Sequence, residues 1–203
     1  MGEFPAAVLD ALRQPLEEGV VRISRARGTA TFPARFLLVG AMNPCPCGEG
    51  GLPGGCRCTD AARARYARRV SAPLLDRFDL AVSVSRPDPD EILGTGRGES
   101  TASVRARVLA ARARAAERGV RANAELGSSS LPVHARLSPS AQALLEHHLR
   151  GGRLSGRGLH RVRRVARTLA DLDDGAEVID EQHAAEALAL RAGRSALAIG
   201  SFR

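Results

Sequence analysis

The sequence predicts an α/β portion followed by an all-α portion, and three observations support this fold class. Residues 36–42 form a short, continuous apolar run, which is typical of a strand buried in a parallel sheet. Residues 20–33 contain two β-prone stretches separated by a basic turn. Beyond residue 100, the chain instead shows a series of helix-capping residues, each followed by an amphipathic stretch. Four helices after an α/β portion predict a helical lid.

The N-terminal stretch predicts a helix and then a hairpin. A short amphipathic helix begins at Pro5, which suits the first helical turn, and ends at Gly19. The hairpin strands are predicted at residues 21–24 and 29–32, because both stretches are β-prone and Gly28 lies in the turn between them.

The middle of the chain supplies the remaining parts of the predicted α/β domain. The apolar run 36–42 ends at Asn43, and residues 45–60 form a loop rich in cysteine and glycine. An arginine-rich helix follows, and residues 80–84 are predicted as a second strand. These elements define a predicted first domain of residues 1–86.

The C-terminal half is predicted to be helical. Residues 87–99 are rich in proline, glycine and aspartate, which indicates a linker. Residues 100–203 form the predicted lid, whose helix N-caps are Ser100, Ser138, Ser155 and Asp180. The last of these helices is expected to end near Arg191.

The charge of the chain favours a polyanionic partner. All 30 basic residues are arginine, and with 22 acidic residues the net charge is +8. A biased genome composition explains why arginine replaces lysine, but it does not explain the excess over acidic residues. Because only 3% of residues are aromatic, we expect any nucleic-acid contact to be made mainly to phosphates.

No apolar run approaches the roughly 18–20 residues that a membrane span requires, and the N-terminus has no signal-peptide pattern. We therefore expect a cytoplasmic, bacterial protein that does not interact with membranes.

The four cysteines are a candidate zinc site. Cys45, Cys47, Cys56 and Cys58 form two close pairs separated by eight residues. Two thiolate pairs of this kind can complete a tetrahedral Zn²⁺ site, and disulfides are disfavoured in the cytosol. The alternative is two reduced, unligated pairs in a glycine-rich loop, and the Cys-x-Cys spacing is less typical of zinc sites than Cys-x₂-Cys.

Short sequence strings in these segments resemble those of the magnesium-chelatase-like AAA+ ATPases, and the resemblance covers nearly the whole chain. Five of them occur in the order of that family: residues 2–5, 13–17, 41–48, 73–79 and 165–172. The resemblance implies an incomplete AAA+ (P-loop NTPase) core followed by a lid. In that family the acidic Walker B motif directly precedes the first string, so we expect this chain to begin just after Walker B, as a fragment. The chain has no lysine and therefore no P-loop of its own.

The resemblance also implies roles in ATP hydrolysis for three residues. Asn43 matches sensor 1, which positions water near the γ-phosphate, and its alternative is a common Asn-Pro turn. Arg77 matches the arginine finger, which reaches a neighbouring subunit's nucleotide, and its alternative is a local ion pair with Asp76 or Asp79. Arg157 matches sensor 2, and its alternative is a surface arginine among several others.

The remaining expectations concern the assembly. The hairpin tip, with Arg25 and Arg27, corresponds to the pre-sensor-1 hairpin that points into the ring channel of related helicases, and its alternative is a solvated turn. The family implies a homo-oligomeric ring, expected to be a hexamer, that uses ATP and Mg²⁺.

Three functions fit these features. The first is a ring-forming ATPase motor that moves on DNA. The second is a magnesium chelatase subunit, although the cysteine loop is not expected in one. The third is a non-enzymatic zinc-and-arginine DNA-binding module, which needs no ATP but leaves Asn43, Arg77 and Arg157 without a role.

We predict that the 203-residue chain alone neither binds nor hydrolyses ATP appreciably, because it has no lysine to contact the β- and γ-phosphates. Steady-state phosphate release by the purified chain checks this. Turnover that persists in the Arg77→Ala and Asn43→Ala variants, in protein free of contaminating ATPase, would overturn the prediction.

Overall fold

The computed structural model describes residues 1–50, 55–85, 87–94, 98–173 and 175–199. Parts of the predicted cysteine loop, linker and lid therefore lie outside the described residues. The chain forms two compact units, of which the first comprises Met1–Ala81 with the residues from Ala192 onward, and the second comprises Val82–Arg191. The predicted domain boundaries stay a prediction.

The first unit begins with two short helices and the predicted hairpin. Helices α1 (Ala6–Ala11) and α2 (Arg13–Glu18) are followed by strands β1 (Val20–Arg25) and β2 (Gly28–Pro33). Gly19 ends α2 in the left-handed region, with φ of 66°, which a residue without Cβ adopts at little cost. The strands pair antiparallel from Val20 opposite Pro33 to Arg25 opposite Gly28, which confirms the hairpin.

Two further helices complete a small core in this unit. Helix α3 (Asp60–Ala67) begins after Thr59, and α4 (Ala72–Leu75) begins after Ser71; each of these side chains accepts an N–H of the first helical turn. The buried centre of the unit is Leu9, Val70, Leu74 and Leu75, against which Met1, Leu12, Leu16, Met42 and Phe78 pack.

The prediction of two buried strands is wrong for this chain by itself. Residues 36–42 and 80–84 belong to no strand, and Leu37 and Val84 are 87% and 90% exposed. The physical reason is the lack of partners, because a buried parallel strand needs a neighbour for its backbone groups. In the described part of the chain, the only sheet is the two-stranded one of β1 and β2.

The second unit is helical, as expected. Its elements are α5 (Pro89–Leu93), α6 (Thr101–Glu117), a 3₁₀ turn (Asn123–Glu125), α7 (Leu131–His134), α8 (Pro139–Arg150), α9 (Gly156–Leu172) and the part of α10 (Glu181–Ile199) up to Arg191. The serines predicted as caps all accept an N–H of the following turn. The Asp180 carboxylate accepts the N–H of His183, so this cap is also confirmed, although the helix extends past Arg191.

Apolar side chains from α7, α8, α9 and α10 fill the core of the second unit. Its fully buried members include Leu131, Leu145, Val162 and Ile179. Leu137 and Ile179 form an isolated parallel bridge that ties the start of α8 to the segment before α10. Among the described residues, no helix combines the length and apolar character that crossing a membrane requires.

A buried charged network holds α9 to the segment around the 3₁₀ turn. The Asp171 carboxylate is 0% exposed and accepts two hydrogen bonds from Arg118, at 2.6 and 2.7 Å. It also accepts one from Asn123 Nδ2 at 2.7 Å and lies 3.1 Å from Arg167, which is itself 1% exposed. Burial raises the pKa of Asp171, but the bonds from Arg118 and Asn123 and the nearby positive charges outweigh it, so the pKa is lowered.

We predict that Asp171→Asn lowers the free energy of unfolding of the second unit by about 3–5 kcal/mol, because it leaves Arg167 buried without a countercharge. Native-state hydrogen exchange of the α9 amides measures this. The control Glu146→Gln removes the exposed ion pair with Arg150 and should cost less than about 1 kcal/mol.

The buried Asp171 network also makes the stability of the second unit depend on pH. Because the folded-state pKa of Asp171 lies below its ordinary value of 3.8, its contribution is fully present above that pH. The contribution is lost as the pH falls below about 4 towards the folded-state pKa. Protection of α9 in the natural protein should therefore decline there, and the Asp171→Asn variant should lack this component of the decline.

Candidate functional site

The four cysteine sulfurs converge on one point. All four Sγ atoms lie within 4.8 Å of one another, with Cys45–Cys47 at 3.2 Å, Cys45–Cys56 at 3.6 Å and Cys47–Cys56 at 3.8 Å. A regular tetrahedron with zinc–sulfur bonds of about 2.3 Å has sulfur–sulfur edges of about 3.8 Å. The donor set and its spacing therefore fit a four-coordinate metal ion such as Zn²⁺.

Local backbone structure turns the two cysteine pairs towards each other. A turn closed by the Gly48 N–H and the Cys45 carbonyl, at 3.0 Å, brings the chain back after the first pair. Gly48 adopts φ of 81°, which favours glycine. The Gly50 N–H then donates to Cys45 Sγ at 3.2 Å, a contact that stabilises a thiolate. The second pair directly precedes Thr59, the N-cap of α3.

The pKa values of two of these cysteines, Cys47 and Cys58, are shifted in opposite directions. A hydrogen bond from the Glu49 backbone, with contributions from Cys45 and Cys58, lowers the pKa of the Cys47 thiol to about 6. The backbone of Cys47 lowers the pKa of Cys58, but the Cys47 side chain and desolvation act against it and raise the value to about 11. Four thiolates in so small a volume repel one another, and a bound dication would remove that conflict.

Asn43 lies two residues before the first cysteine and is exposed. It directly follows the apolar segment of residues 36–42, which is not part of a sheet here. Its backbone interacts with the hydroxyl of Tyr66, a buried residue of α3 whose pKa is raised mainly by burial. A side chain at Gly2 would overlap the Tyr66 ring, so the ring also packs closely on the N-terminal turn.

Arg77 is held within its own chain. Its side chain is 15% exposed, and Nε lies 3.3 Å from the Glu17 carboxylate and donates to the Arg13 carbonyl at 3.0 Å. Nη1 donates to the Pro73 carbonyl at 2.6 Å. Sequence reasoning considered acidic neighbours in the chain and missed Glu17. No local signal points to Glu17, because the contact depends on how α2 packs beside α4.

The other predicted arginines lie on the surface. Arg157 is exposed in the first turn of α9, whose N-cap Ser155 accepts the Gly158 N–H at 3.1 Å. It belongs to the second unit, whereas Asn43 and Arg77 belong to the first, so the structure does not bring the three together in one unit. Arg25 and Arg27 are exposed at the end of the β1–β2 hairpin, as the sequence predicted.

Comparison with known proteins identifies the family of this chain. The family model for magnesium chelatase subunit ChlI matches residues 1–92, and the model for the C-terminal part of the same subunit matches residues 98–191. The chain belongs to the magnesium-chelatase-like family. The family recognised from the five sequence strings is therefore confirmed.

Within that family the chain is similar to proteins of the YifB and ComM type. YifB of Escherichia coli (strain K12) is 42% identical over 193 residues, which are 94% of this chain and 37% of YifB. The competence protein ComM of Haemophilus influenzae is 44% identical over 192 residues, or 94% of this chain and 37% of ComM. An uncharacterized Mycobacterium tuberculosis protein is 45% identical over 174 residues, 84% of this chain and 34% of that protein. The chain thus spans little more than a third of its relatives' length.

We predict that the purified chain carries about one equivalent of zinc, because four thiolates fill one tetrahedral site. The Cys56→Ser variant should lose the metal, since it removes one of the four ligands. Elemental analysis after gel filtration measures both. Asp60→Asn is the matched control, because it removes the neighbouring ion pair with Arg63, leaves all four cysteine ligands in place and should keep the metal. Four titratable thiols per chain with no metal would contradict the prediction.

Proposed function

We propose that this chain is the sensor and lid part of a magnesium-chelatase-like AAA+ ATPase that acts on DNA as a ring-forming motor. The match to the magnesium chelatase models through both structural units carries this proposal. In it, residues 1–86 belong to the AAA+ core, 87–99 form the linker and 100–203 form the lid. Because the chain has no lysine, the P-loop that binds ATP and Mg²⁺ must come from another stretch of polypeptide.

The two apolar segments that have no strand partners support the proposed AAA+ core. Residues 36–42 and 80–84 expose apolar side chains, and their backbone groups form no sheet hydrogen bonds. This is expected for strands whose neighbouring strands belong to another stretch of polypeptide. Asn43 stands at the end of the first segment. In a completed parallel sheet it would therefore lie at the carboxyl edge, which is where open α/β sheets bind ligands.

The arginines have separate roles in the proposed ATP-driven action on DNA. Arg77 acts as an arginine finger on the neighbouring subunit's nucleotide, and Arg157 contacts the nucleotide from the lid. Arg77 must exchange the Glu17 carboxylate for a phosphate to do so. Arg25 and Arg27 extend from the hairpin without a carboxylate partner among the described residues, which suits contact with DNA phosphates.

The cysteine cluster is proposed as a structural zinc site. With four thiolates around one ion, no coordination position stays open for a substrate, and such closed sites stabilise folds rather than catalyse reactions. Zinc would hold the loop after Asn43 against the start of α3. This role favours a motor over a metal-inserting chelatase, in which the cysteine loop has no evident part.

The proposal is tested in a chimeric polypeptide that joins this chain to the part of YifB outside the match, which is expected to supply the P-loop. The chimera should hydrolyse ATP and be stimulated by DNA. Arg77→Ala should lower kcat by about 10³-fold or more, the range for arginine fingers. Arg136→Ala, which removes only an exposed ion pair with Glu177, serves as the control.

Each outcome decides a different part of the proposal. A folded chimera that hydrolyses no ATP would refute the ATPase assignment. Hydrolysis that Arg77→Ala leaves unchanged would refute the finger role alone, and hydrolysis without any response to DNA would point to a function other than a DNA motor.

A further inference from the structure

A group of arginines lies within and directly after the second cysteine pair in the chain. Residues 57–69 contain five arginines and a single carboxylate, that of Asp60. Asp60 pairs with Arg63, and Arg69 is engaged by the Gly2 carbonyl and Glu3. The other three, Arg57, Arg65 and Arg68, are exposed. In the part of the chain that the structure describes, their side chains form no ion pair or hydrogen bond.

The geometry of α3 directs these charges outwards. Arg65 and Arg68 are three positions apart, and the backbone of Arg68 continues the helical conformation, so both lie on one face. Tyr66 and Ala67 occupy the opposite, buried side of the helix. Arg57 lies between the ligands Cys56 and Cys58, immediately before the helix begins. The position of Arg57 is therefore tied to the cysteine cluster, and Arg65 and Arg68 lie on the helix that begins directly after it.

We propose that the cysteine-ligated metal centre orders a DNA-binding surface, composed of Arg57, Arg65 and Arg68, that contacts the phosphate backbone of duplex DNA. The inference rests on the proposed function in taking DNA as the substrate, and it adds a contact surface separate from the hairpin tip. Guanidinium groups suit this role because their planar donors match phosphate oxygens.

The chemistry of the surface favours a duplex over a single strand. Proteins that hold single strands without sequence preference stack the bases on exposed aromatic rings. The only aromatic residue of α3 is Tyr66, and its ring is buried against Gly2. Three guanidinium groups without an aromatic platform act mainly on phosphates, and a duplex presents phosphate charges at about twice the density of one strand. Binding through this surface is therefore sequence-independent and sensitive to salt.

Fluorescence anisotropy with a labelled 30-base-pair duplex and the zinc-loaded 203-residue chain tests the proposal. The triple variant Arg57→Ala, Arg65→Ala, Arg68→Ala should bind at least tenfold more weakly in 50 mM salt. It should also show a log–log salt slope smaller by about 2–3, because each lost phosphate contact removes about 0.9. Its zinc content and circular dichroism should be unchanged, which separates lost contacts from misfolding.

The matched control removes the same charge from the second unit, by Arg105→Ala, Arg112→Ala and Arg153→Ala. These three arginines are also exposed and unpaired among the described residues. The control should keep the natural salt slope. An equal loss in both triple variants would show that net charge alone drives binding, and would overturn the proposed surface.

Metal dependence and strand preference complete the test. Cys56→Ser should weaken duplex binding as the α3 triple variant does, and unchanged binding by this variant would overturn the ordering role of the metal. An unlabelled single strand of 30 thymidines should compete less well than the duplex, and the reverse order would also overturn the proposal.

The hairpin variant Arg25→Ala, Arg27→Ala separates this inference from the proposed function. If it loses binding while the α3 triple variant does not, DNA action stands and the α3 surface is wrong. If the natural chain binds no DNA at all, the α3 surface fails outright, while the ATPase part of the proposed function is still decided by the chimera.

Discussion

The convergence of four sulfur atoms is the constraint on which much of the first unit depends. Cys45 follows Asn43 by two residues, and Cys58 directly precedes the N-cap of α3. Tyr66 on α3 then returns to the backbone of Asn43 and to Gly2. The cluster therefore closes a loop that fixes the backbone of Asn43 from both sides. Among its described residues, the unit otherwise has only a small apolar core, so a metal ion at this point would stabilise it considerably.

Local features of the fold were predictable from the sequence. The hairpin, its basic tip and the serine N-caps of the helical unit were all predicted correctly, because each depends on residues within a few positions of one another. The convergence of Cys45, Cys47, Cys56 and Cys58 was also anticipated, since two close pairs in one short loop can approach each other without help from the rest of the fold.

Non-local features were not predictable in the same way. The apolar runs at residues 36–42 and 80–84 have the composition of buried strands, but pairing requires partners that the sequence pattern cannot supply. The contact of Arg77 with Glu17 joins residues far apart in the chain, and it depends on the packing of α2 near α4. The buried Asp171 network likewise appeared in the sequence only as ordinary charged residues on a helix.

The Glu17–Arg77 contact links the proposed nucleotide and DNA sites through one element. Glu17 lies near the end of α2, which passes through Gly19 directly into β1 of the hairpin. The next residue, Glu18, pairs with Arg22 on that strand. If Arg77 exchanged Glu17 for a phosphate as proposed, α2 would lose both this ion pair and the bond to the Arg13 carbonyl. In the proposed motor, the several negative charges of a neighbouring triphosphate, against the single charge of Glu17, would favour this exchange. Leu16 would still hold α2 against the apolar core, but the helix would have fewer attachments, and in the proposed motor the nucleotide state would thereby reach the hairpin with Arg25 and Arg27.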